Sequence, residues 1–168
     1  MSAKSQRGLS GAVKETVRMK KKEFFKACLA GDINRVHELN SKMKGDFVNQ
    51  TGSYDYSDDM TPLMAALCGN NQSVVDFLLN LDNVTLHNKD SSDMSALHYA
   101  CVHEASEETV ALIAKKMPKQ LINDCSEDDY NHSALEDAVR TGNKGAVCSL
   151  ILIPELHWDY ERLQDVAR

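Results

Sequence analysis

Thr61-Pro-Leu-Met-Ala-Ala66 is a hexapeptide that returns, with changes, as Ser95-Ala-Leu-His-Tyr-Ala100 and Ser133-Ala-Leu-Glu-Asp-Ala138 in this chain of 168 residues. The copies start 34 and 38 residues apart, and each is followed by a polar stop and a second apolar pattern. Self-similarity at such a period indicates stacked supersecondary units. Because stacked units offer long recognition surfaces, the sequence predicts a binding function in preference to a catalytic one.

Each copy carries the signals of a helix start and a helix stop. Thr61, Ser95 and Ser133 can cap a helix through their hydroxyls, and Pro62 suits a first helical turn. A stop follows the Thr61 copy at Gly69-Asn70-Asn71. A second apolar stripe then recurs at helical spacing, formed by Val74, Val75, Leu78 and Leu79, by Val110, Ile113 and Ala114, and by Val147, Leu150 and Ile151.

These features resemble the ankyrin repeat, whose signature T-P-L-H-x-A is nearly complete at residues 61–66 and 95–100. A degenerate earlier copy runs from Phe24 to Val36, and Val48-Asn49 matches the dipeptide that commonly closes an ankyrin unit. The resemblance implies an all-α ankyrin-repeat solenoid of about four helix-turn-helix repeats, with short β-turn fingers and helical caps.

The resemblance also divides the chain. We expect a basic, partly disordered extension, a repeat domain and a C-terminal capping helix with an apolar stripe of Leu156, Tyr160, Leu163 and Ala167. A partner-docking helix is the alternative for this last segment. The predicted bounds are 1–17 for the extension, 18–153 for the domain, about 20–52, 53–90, 91–125 and 126–153 for its repeats, and 154–168 for the cap.

The turns between repeats depart from the ankyrin pattern. Asp59, Asp93 and Asn131 stand where the family usually has glycine. Asp and Asn tolerate the left-handed backbone conformation better than other non-glycine residues. We therefore expect the turns to survive, with these three residues in that conformation.

Charge divides the chain unevenly. Residues 1–26 carry a formal charge of +6, and the whole chain carries −6, so residues 27–168 carry −12. The acidic majority argues against nucleic acid as the main ligand, since phosphate contacts supply most of that affinity. Lys20-Lys21-Lys22 fits a nuclear import signal, a nucleic-acid contact or a solvated helix end. With no secretory block and no membrane-spanning stretch, we expect a cytoplasmic protein that does not bind membranes, with the nucleus left open.

The residues that could carry chemistry favour packing. Five cysteines form no C-x-x-C pair, and Cys28 and Cys101 occupy a small apolar helix position. His98, Cys101 and His103 are close enough to suggest a metal, but His98 is the signature histidine and Cys101 a core position. Phosphate loops, nucleophile elbows and H-E-x-x-H are absent. We therefore expect no enzyme activity, metal, cofactor or small-molecule substrate.

In ankyrin proteins the finger tips and the exposed side of the first helices form a concave recognition surface, and the resemblance carries that surface over to this chain. The predicted partner-binding residues are Tyr54, Asp55, Tyr56, Asp58, Asp59, Met60, Asp90, Ser91, Ser92, Asp93, Met94, His103, Glu127, Asp128, Asp129, Tyr130, His132 and Arg140. Acidic residues dominate, opposed by Lys89 and Arg140. We expect a protein partner with a basic surface; the alternative is that the acidic loops serve solubility alone.

The resemblance implies a function without catalysis. A short array of this kind resembles the small ankyrin-repeat inhibitors of cyclin-dependent kinases. It implies a protein-binding module that acts as a regulatory subunit of a Ser/Thr protein kinase in the control of the cell cycle and DNA replication. A transcriptional or ubiquitin-pathway adaptor that uses the same groove is the alternative.

Overall fold

A computed structural model describes residues 3–54, 57–127 and 131–167, with side chains from residue 14 onward. Within these ranges the chain is mostly helical, with one antiparallel hairpin. The helices are α1 (Ala3–Ala30), α2 (Ile33–Met43), α3 (Pro62–Cys68), α4 (Gln72–Leu79), α5 (Ala96–Val102), α6 (Glu107–Lys116), α7 (Ala134–Thr141), α8 (Lys144–Ile151) and α9 (Tyr160–Val166), the strands are β1 (Gly52–Tyr54) and β2 (Ser57–Met60), and Lys119–Leu121 forms a 3-10 turn.

The first eight helices form four consecutive pairs. Within each pair the two helices pack together, and the first helices stack in the order α1, α3, α5 and α7. The second helices α6 and α8 also pack on each other, as do α2 and α4. One continuous apolar core therefore runs through the stack, as the predicted all-α solenoid requires.

The predicted helix starts are confirmed where the capping contacts are seen. The Thr61 hydroxyl accepts the backbone N–H of Met64 at 3.2 Å. The Ser133 hydroxyl accepts the N–H of Glu136 at 3.3 Å, and the Glu136 carboxylate accepts the Ser133 N–H at 2.7 Å. These contacts satisfy backbone donors that the helix itself leaves unpaired.

The polar stops of the second and fourth repeats join each of them to the preceding repeat. The Asn71 side-chain amide donates to the carbonyl of Leu29, at the end of α1, at 2.7 Å. Asn143 repeats this contact with the carbonyl of Ala105 at 3.3 Å. A Cβ atom at Gly69 would lie 2.2 Å from the Leu29 carbonyl oxygen, so this close approach requires glycine.

Two cysteines fill the core as predicted. Cys28 in α1 and Cys101 in α5 are both fully buried. Burial raises the pKa of the Cys28 thiol to about 12, and it also raises the pKa of Cys101. Both thiols therefore stay protonated at neutral pH and behave as small apolar side chains.

The left-handed turns are also confirmed. Asp59, Asp93 and Asn131 have φ angles of 63°, 58° and 51°. Glu104 adopts the same region, with φ of 54°, where the third repeat has no glycine at its stop. Asp and Asn bear this conformation at lower cost than most side chains, so the turns persist without glycine.

Helices lie at both ends of the array. Helix α1 begins at Ala3 and so includes most of the segment predicted as an extension. At the other end, α9 has seven residues, fewer than the predicted cap of 154–168. A turn precedes it, which places Leu156 outside the helical register; Leu156 and Leu163 pack on the core, whereas Tyr160 is 65% exposed. The predicted stripe is therefore wrong at Tyr160 and at Ala167, which is also exposed. Among the described residues, no helix combines the length and apolar character needed to cross a bilayer.

Candidate functional site

Three loops project between the helix pairs, and we call them the first finger (51–60), the second finger (88–95) and the third finger (125–133). The first is the β1–β2 hairpin, and the other two close with single bridges between Lys89 and Ser95 and between Cys125 and Ser133. All three precede a first helix of the stack, so they share one side of the molecule.

Main-chain contacts align the fingers side by side. The Ser91 N–H donates to the Asp58 carbonyl at 2.9 Å, and the Ser91 hydroxyl accepts the Asp58 N–H at 3.0 Å. The Glu127 N–H donates to the Ser92 carbonyl at 2.8 Å. Because the backbone makes these bonds, the side chains of Asp58 and Glu127 remain exposed to solvent.

Asp90 has a structural role in place of the predicted binding role. Asp90 is only 6% exposed. Its carboxylate accepts hydrogen bonds from the backbone N–H groups of Ser92 at 3.0 Å and Met94 at 2.9 Å. The Tyr99 hydroxyl also donates to it, at 2.7 Å. A carboxylate that organises the turn in this way is not available to a partner. The prediction for Asp90 is therefore wrong.

Met60 is the second correction. It ends β2 and is only 1% exposed, because the hairpin returns it into the core above α3. The two residues before it, Asp58 and Asp59, are exposed, so the chain turns inward only at Met60. Met60 supports the surface from below and cannot make the direct contact predicted for it.

A recess of about 220 Å³ lies between the second and third repeats, and we call it the aromatic recess. It brings together four of the predicted residues, Tyr54, Met94 and His103 together with the buried Met60. The remaining lining residues are Ser57, Cys68, Tyr99 and Val102. The centre of the predicted surface is thus aromatic and sulfur-rich, with the exposed acidic side chains of the fingers around it.

Tyr99 is the residue of the recess that the sequence-based prediction omitted. Its ring stacks on that of His103, with centroids 5.8 Å apart and planes 12° apart, and its hydroxyl contacts Asp90. Burial raises the pKa of Tyr99 and lowers the pKa of His103, so both rings are uncharged at neutral pH. Residues four positions apart on a helix lie on the same face, so the spacing of Tyr99 and His103 could have indicated this pair from the sequence.

The expected basic residues of the surface are paired. Lys89 lies 3.0 Å from the Asp93 carboxylate and 2.9 Å from that of Asp124. Burial acts to lower the pKa of Lys89, but the two carboxylates raise it overall. Asp93 is therefore largely neutralised, which leaves Asp58, Asp59 and Glu127 as the exposed acidic residues of the described fingers.

The fourth helix pair holds a polar cluster away from the aromatic recess. Arg140 donates to the Asp137 carboxylate at 3.1 Å, and His132 Nδ1 lies 3.6 Å from the same oxygen. Burial raises the pKa of Asp137, while Arg140 acts to lower it. His132 is largely buried in this cluster, whereas Arg140 is exposed.

The other predicted residues lie either on the second finger or outside the described part of the chain. Ser91 is exposed and Ser92 partly buried on the second finger. Predicted residues that lie outside the described part of the chain are Asp55, Tyr56, Asp128, Asp129 and Tyr130. Among the described residues, no group of three or more His, Cys, Asp and Glu side chains could hold a metal ion.

Comparison with known families agrees with this geometry. A model of ankyrin repeats in three copies matches residues 24–119, which is more than half of the chain. The chain belongs to the ankyrin-repeat family. Ankyrin repeats are protein–protein interaction modules and are generally non-catalytic, so a protein partner follows from membership. No curated protein matches the chain.

Proposed function

We propose that this ankyrin-repeat protein is a non-catalytic regulatory subunit that binds a Ser/Thr protein kinase in the control of the cell cycle and DNA replication. The aromatic recess is the observation that carries the proposal. It is open to solvent, joins the first and second fingers to α3 and α5, and lies beside exposed acidic side chains. We also count α7 and α8 as a fourth repeat, because they continue the stack beyond residue 119.

The recess supplies the apolar part of the proposed contact. Tyr54 is 44% exposed at its edge, and Met94 and His103 are partly exposed within it. Tyrosine and methionine are enriched in protein interfaces, where they bury a large area with few polar requirements. A side chain of the partner that enters this recess would replace water against Tyr54 and Met94.

The fingers supply the charged part. Asp58, Asp59 and Glu127 are exposed and would repel an acidic partner. They support a partner with a basic surface around an apolar anchor. The association should therefore weaken as salt is added, because exposed charges are screened over about 8 Å at physiological ionic strength.

The proposal that the partner is a kinase rests on the overall layout of the chain. The chain is similar in size and arrangement to the small ankyrin-repeat inhibitors of cyclin-dependent kinases. It also resembles plutonium, a small fly ankyrin protein that works with a protein kinase to restrain DNA replication in early development. A bound regulator of this kind changes activity only as far as it prefers one kinase conformation over the other. Such a partner would place the chain in the cytoplasm or the nucleus.

A charge-reversal experiment tests the surface and the partner together. In the double variant Asp58→Lys/Glu127→Lys, both side chains are exposed, so we expect the fold to persist and affinity for the kinase to fall about tenfold, or roughly 1.4 kcal/mol. Co-purification from native extracts identifies the kinase, and titration with the purified kinase gives the affinity.

The matched control is Asp76→Lys/Asp82→Lys, which changes the net charge equally on α4 and the turn after it, away from the fingers. It should bind like the unaltered chain. Equal affinity of the two double variants would remove the fingers from the binding surface. Recovery of a transcription factor or ubiquitin ligase in place of a kinase would favour the adaptor alternative.

A further inference from the structure

A second and larger recess lies at the front of the array, between α1 and the first finger. Its volume is about 690 Å³, and we call it the basic cleft. Arg18, Lys21, Lys22 and Lys26 line its α1 side, and Tyr54 lies on its β1 side. From the sequence alone, the run Lys20-Lys21-Lys22 fits an import signal, a nucleic-acid contact or a solvated helix end, and none of these involves a recess.

The spacing on α1 explains why one wall carries both charge and apolar surface. Residues 18, 22, 25 and 29 follow one another at three or four positions, so their side chains share one face of the helix. Phe25 is buried at the base of this face, against Gly52 of β1. Charged ends therefore surround an apolar floor.

The positive charges of the cleft have little internal compensation. Within the described residues, Lys22 and Lys26 form no ion pair. Lys21 donates to the neutral side chain of Gln50 at 2.6 Å, and Arg18 lies 3.9 Å from Glu15 with both groups well exposed. Four clustered cations in a recess attract anionic groups more strongly than the same charges on a flat surface.

The β1 side of the cleft favours a ligand in extended conformation. Strand β1 pairs with β2 on one side only, and β2 connects through Asp58 to the second finger. The other edge of β1 borders the cleft, since residues 51–54 line it and no residue of β2 does. An open strand edge is where an extended peptide adds by main-chain hydrogen bonds.

We propose that the basic cleft binds an extended, acidic segment of a protein partner, with Asp or Glu side chains at the lysines and an apolar side chain near Phe25 and Tyr54. The volume falls within the range of cavities that enclose a few side chains. The strongly negative remainder of the chain disfavours a nucleic acid, and a recess between a helix and a hairpin fits a bilayer surface poorly. This site is distinct from the aromatic recess, to which we assign a basic partner.

The test uses the full chain and a fluorescein-labelled peptide of about eight residues, roughly 27 Å when extended, with Glu at alternate positions and Ser or Leu between them. Fluorescence anisotropy should show saturable binding that weakens as NaCl is added. The double variant Lys22→Glu/Lys26→Glu should bind at least about tenfold more weakly, because like charges then face each other. Circular dichroism and urea unfolding establish that it is folded.

Two control variants make the result specific. Lys115→Glu/Lys144→Glu alters net charge by the same amount on the outer helices α6 and α8 and should leave peptide affinity unchanged. Asp58→Lys/Glu127→Lys should also leave peptide binding intact, so failure of the basic cleft can be distinguished from failure of the proposed kinase contact.

Three outcomes would overturn the proposal. The first is equal peptide affinity of the Lys22/Lys26 and Lys115/Lys144 double variants. The second is absence of binding to the unaltered chain at low salt. The third is tighter binding of a single-stranded oligonucleotide, or of phosphatidylserine vesicles, with the same dependence on Lys22 and Lys26, which would assign the cleft to nucleic acid or membrane.

Discussion

The aromatic recess and the basic cleft lie on either side of Tyr54, yet their chemistry is opposite. The recess is built from α3, α5 and two fingers, with uncharged rings inside and carboxylates outside it. The cleft is built from α1 and β1 alone, and its charged side chains are all positive. Both are made by the same arrangement of first helix and finger. The difference shows that the repeat scaffold tolerates either charge on its exposed positions while its core positions stay alike.

Removing the Tyr99 side chain should have the largest effect on stability among these predictions. Its effect on binding should be confined to the aromatic recess. We expect Tyr99→Ala to cost about 3–5 kcal/mol of unfolding free energy, because a large ring leaves the core and Asp90 loses a donor. Urea unfolding measures this loss. Tyr99→Phe keeps the ring and should cost only about 1 kcal/mol.

The same variant sharpens the contrast between the two recesses. In folded Tyr99→Ala protein, affinity for a basic partner should fall, while the acidic peptide should still bind the basic cleft. Loss of peptide binding with an intact fold would mean that the two recesses are coupled and act as one surface.

Adding a side chain at Gly52 should disturb both the aromatic recess and the basic cleft. A Cβ atom there would lie 2.9 Å from the Phe25 ring, so Gly52→Ala must displace the hairpin or the ring. We expect a loss of about 1–3 kcal/mol in urea unfolding, together with weaker binding at both recesses, since the hairpin lines each of them. A matched change in an open turn, Gly142→Asn, meets no neighbouring atom and keeps a residue tolerant of positive φ. Equal destabilisation by both changes would contradict the Phe25 contact.

Mild acid should weaken binding at the aromatic recess and leave binding at the basic cleft unchanged. This is the smallest of the expected effects. Burial lowers the pKa of His103 below the ordinary value of about 6.5. As pH falls through this lowered pKa, the imidazole gains a positive charge, and affinity for a basic partner should then fall about two- to fivefold. The acidic peptide should bind the cleft unchanged over this range, because Glu titrates near 4.3.

The sign of the accompanying stability change follows from the same shift. The unfolded chain takes up a proton at a pH at which the folded imidazole is still neutral, so His103 lowers stability as pH drops below about 6.5. His103→Gln should reduce both the pH dependence of binding and that of unfolding. A pH profile that is identical in the variant would exclude His103 as the titrating group.

Residues assigned to the binding surface from repeat position are found both at the surface and in the core. Tyr54, Met94 and His103 were placed on it from repeat position, and they meet in one recess. Asp90 and Met60 were placed there by the same reasoning, yet both are buried. Repeat position defines where a residue lies along the unit, whereas exposure depends on how the next finger and helix cover it.

What the sequence alone determined is local and repetitive. Helix starts at Thr61 and Ser133, left-handed turns at Asp59 and Asp93, and the buried thiol of Cys28 all follow from a few neighbouring residues and recur at the repeat period. Only the tertiary structure decided which polar groups are paired and which recesses exist. Lys26 and Tyr54 are 28 residues apart in the chain, and they line one cleft because α1 packs on α3 and carries the first finger beside it. Contacts between distant segments depend on the packing of the whole stack, and no short-range pattern encodes them.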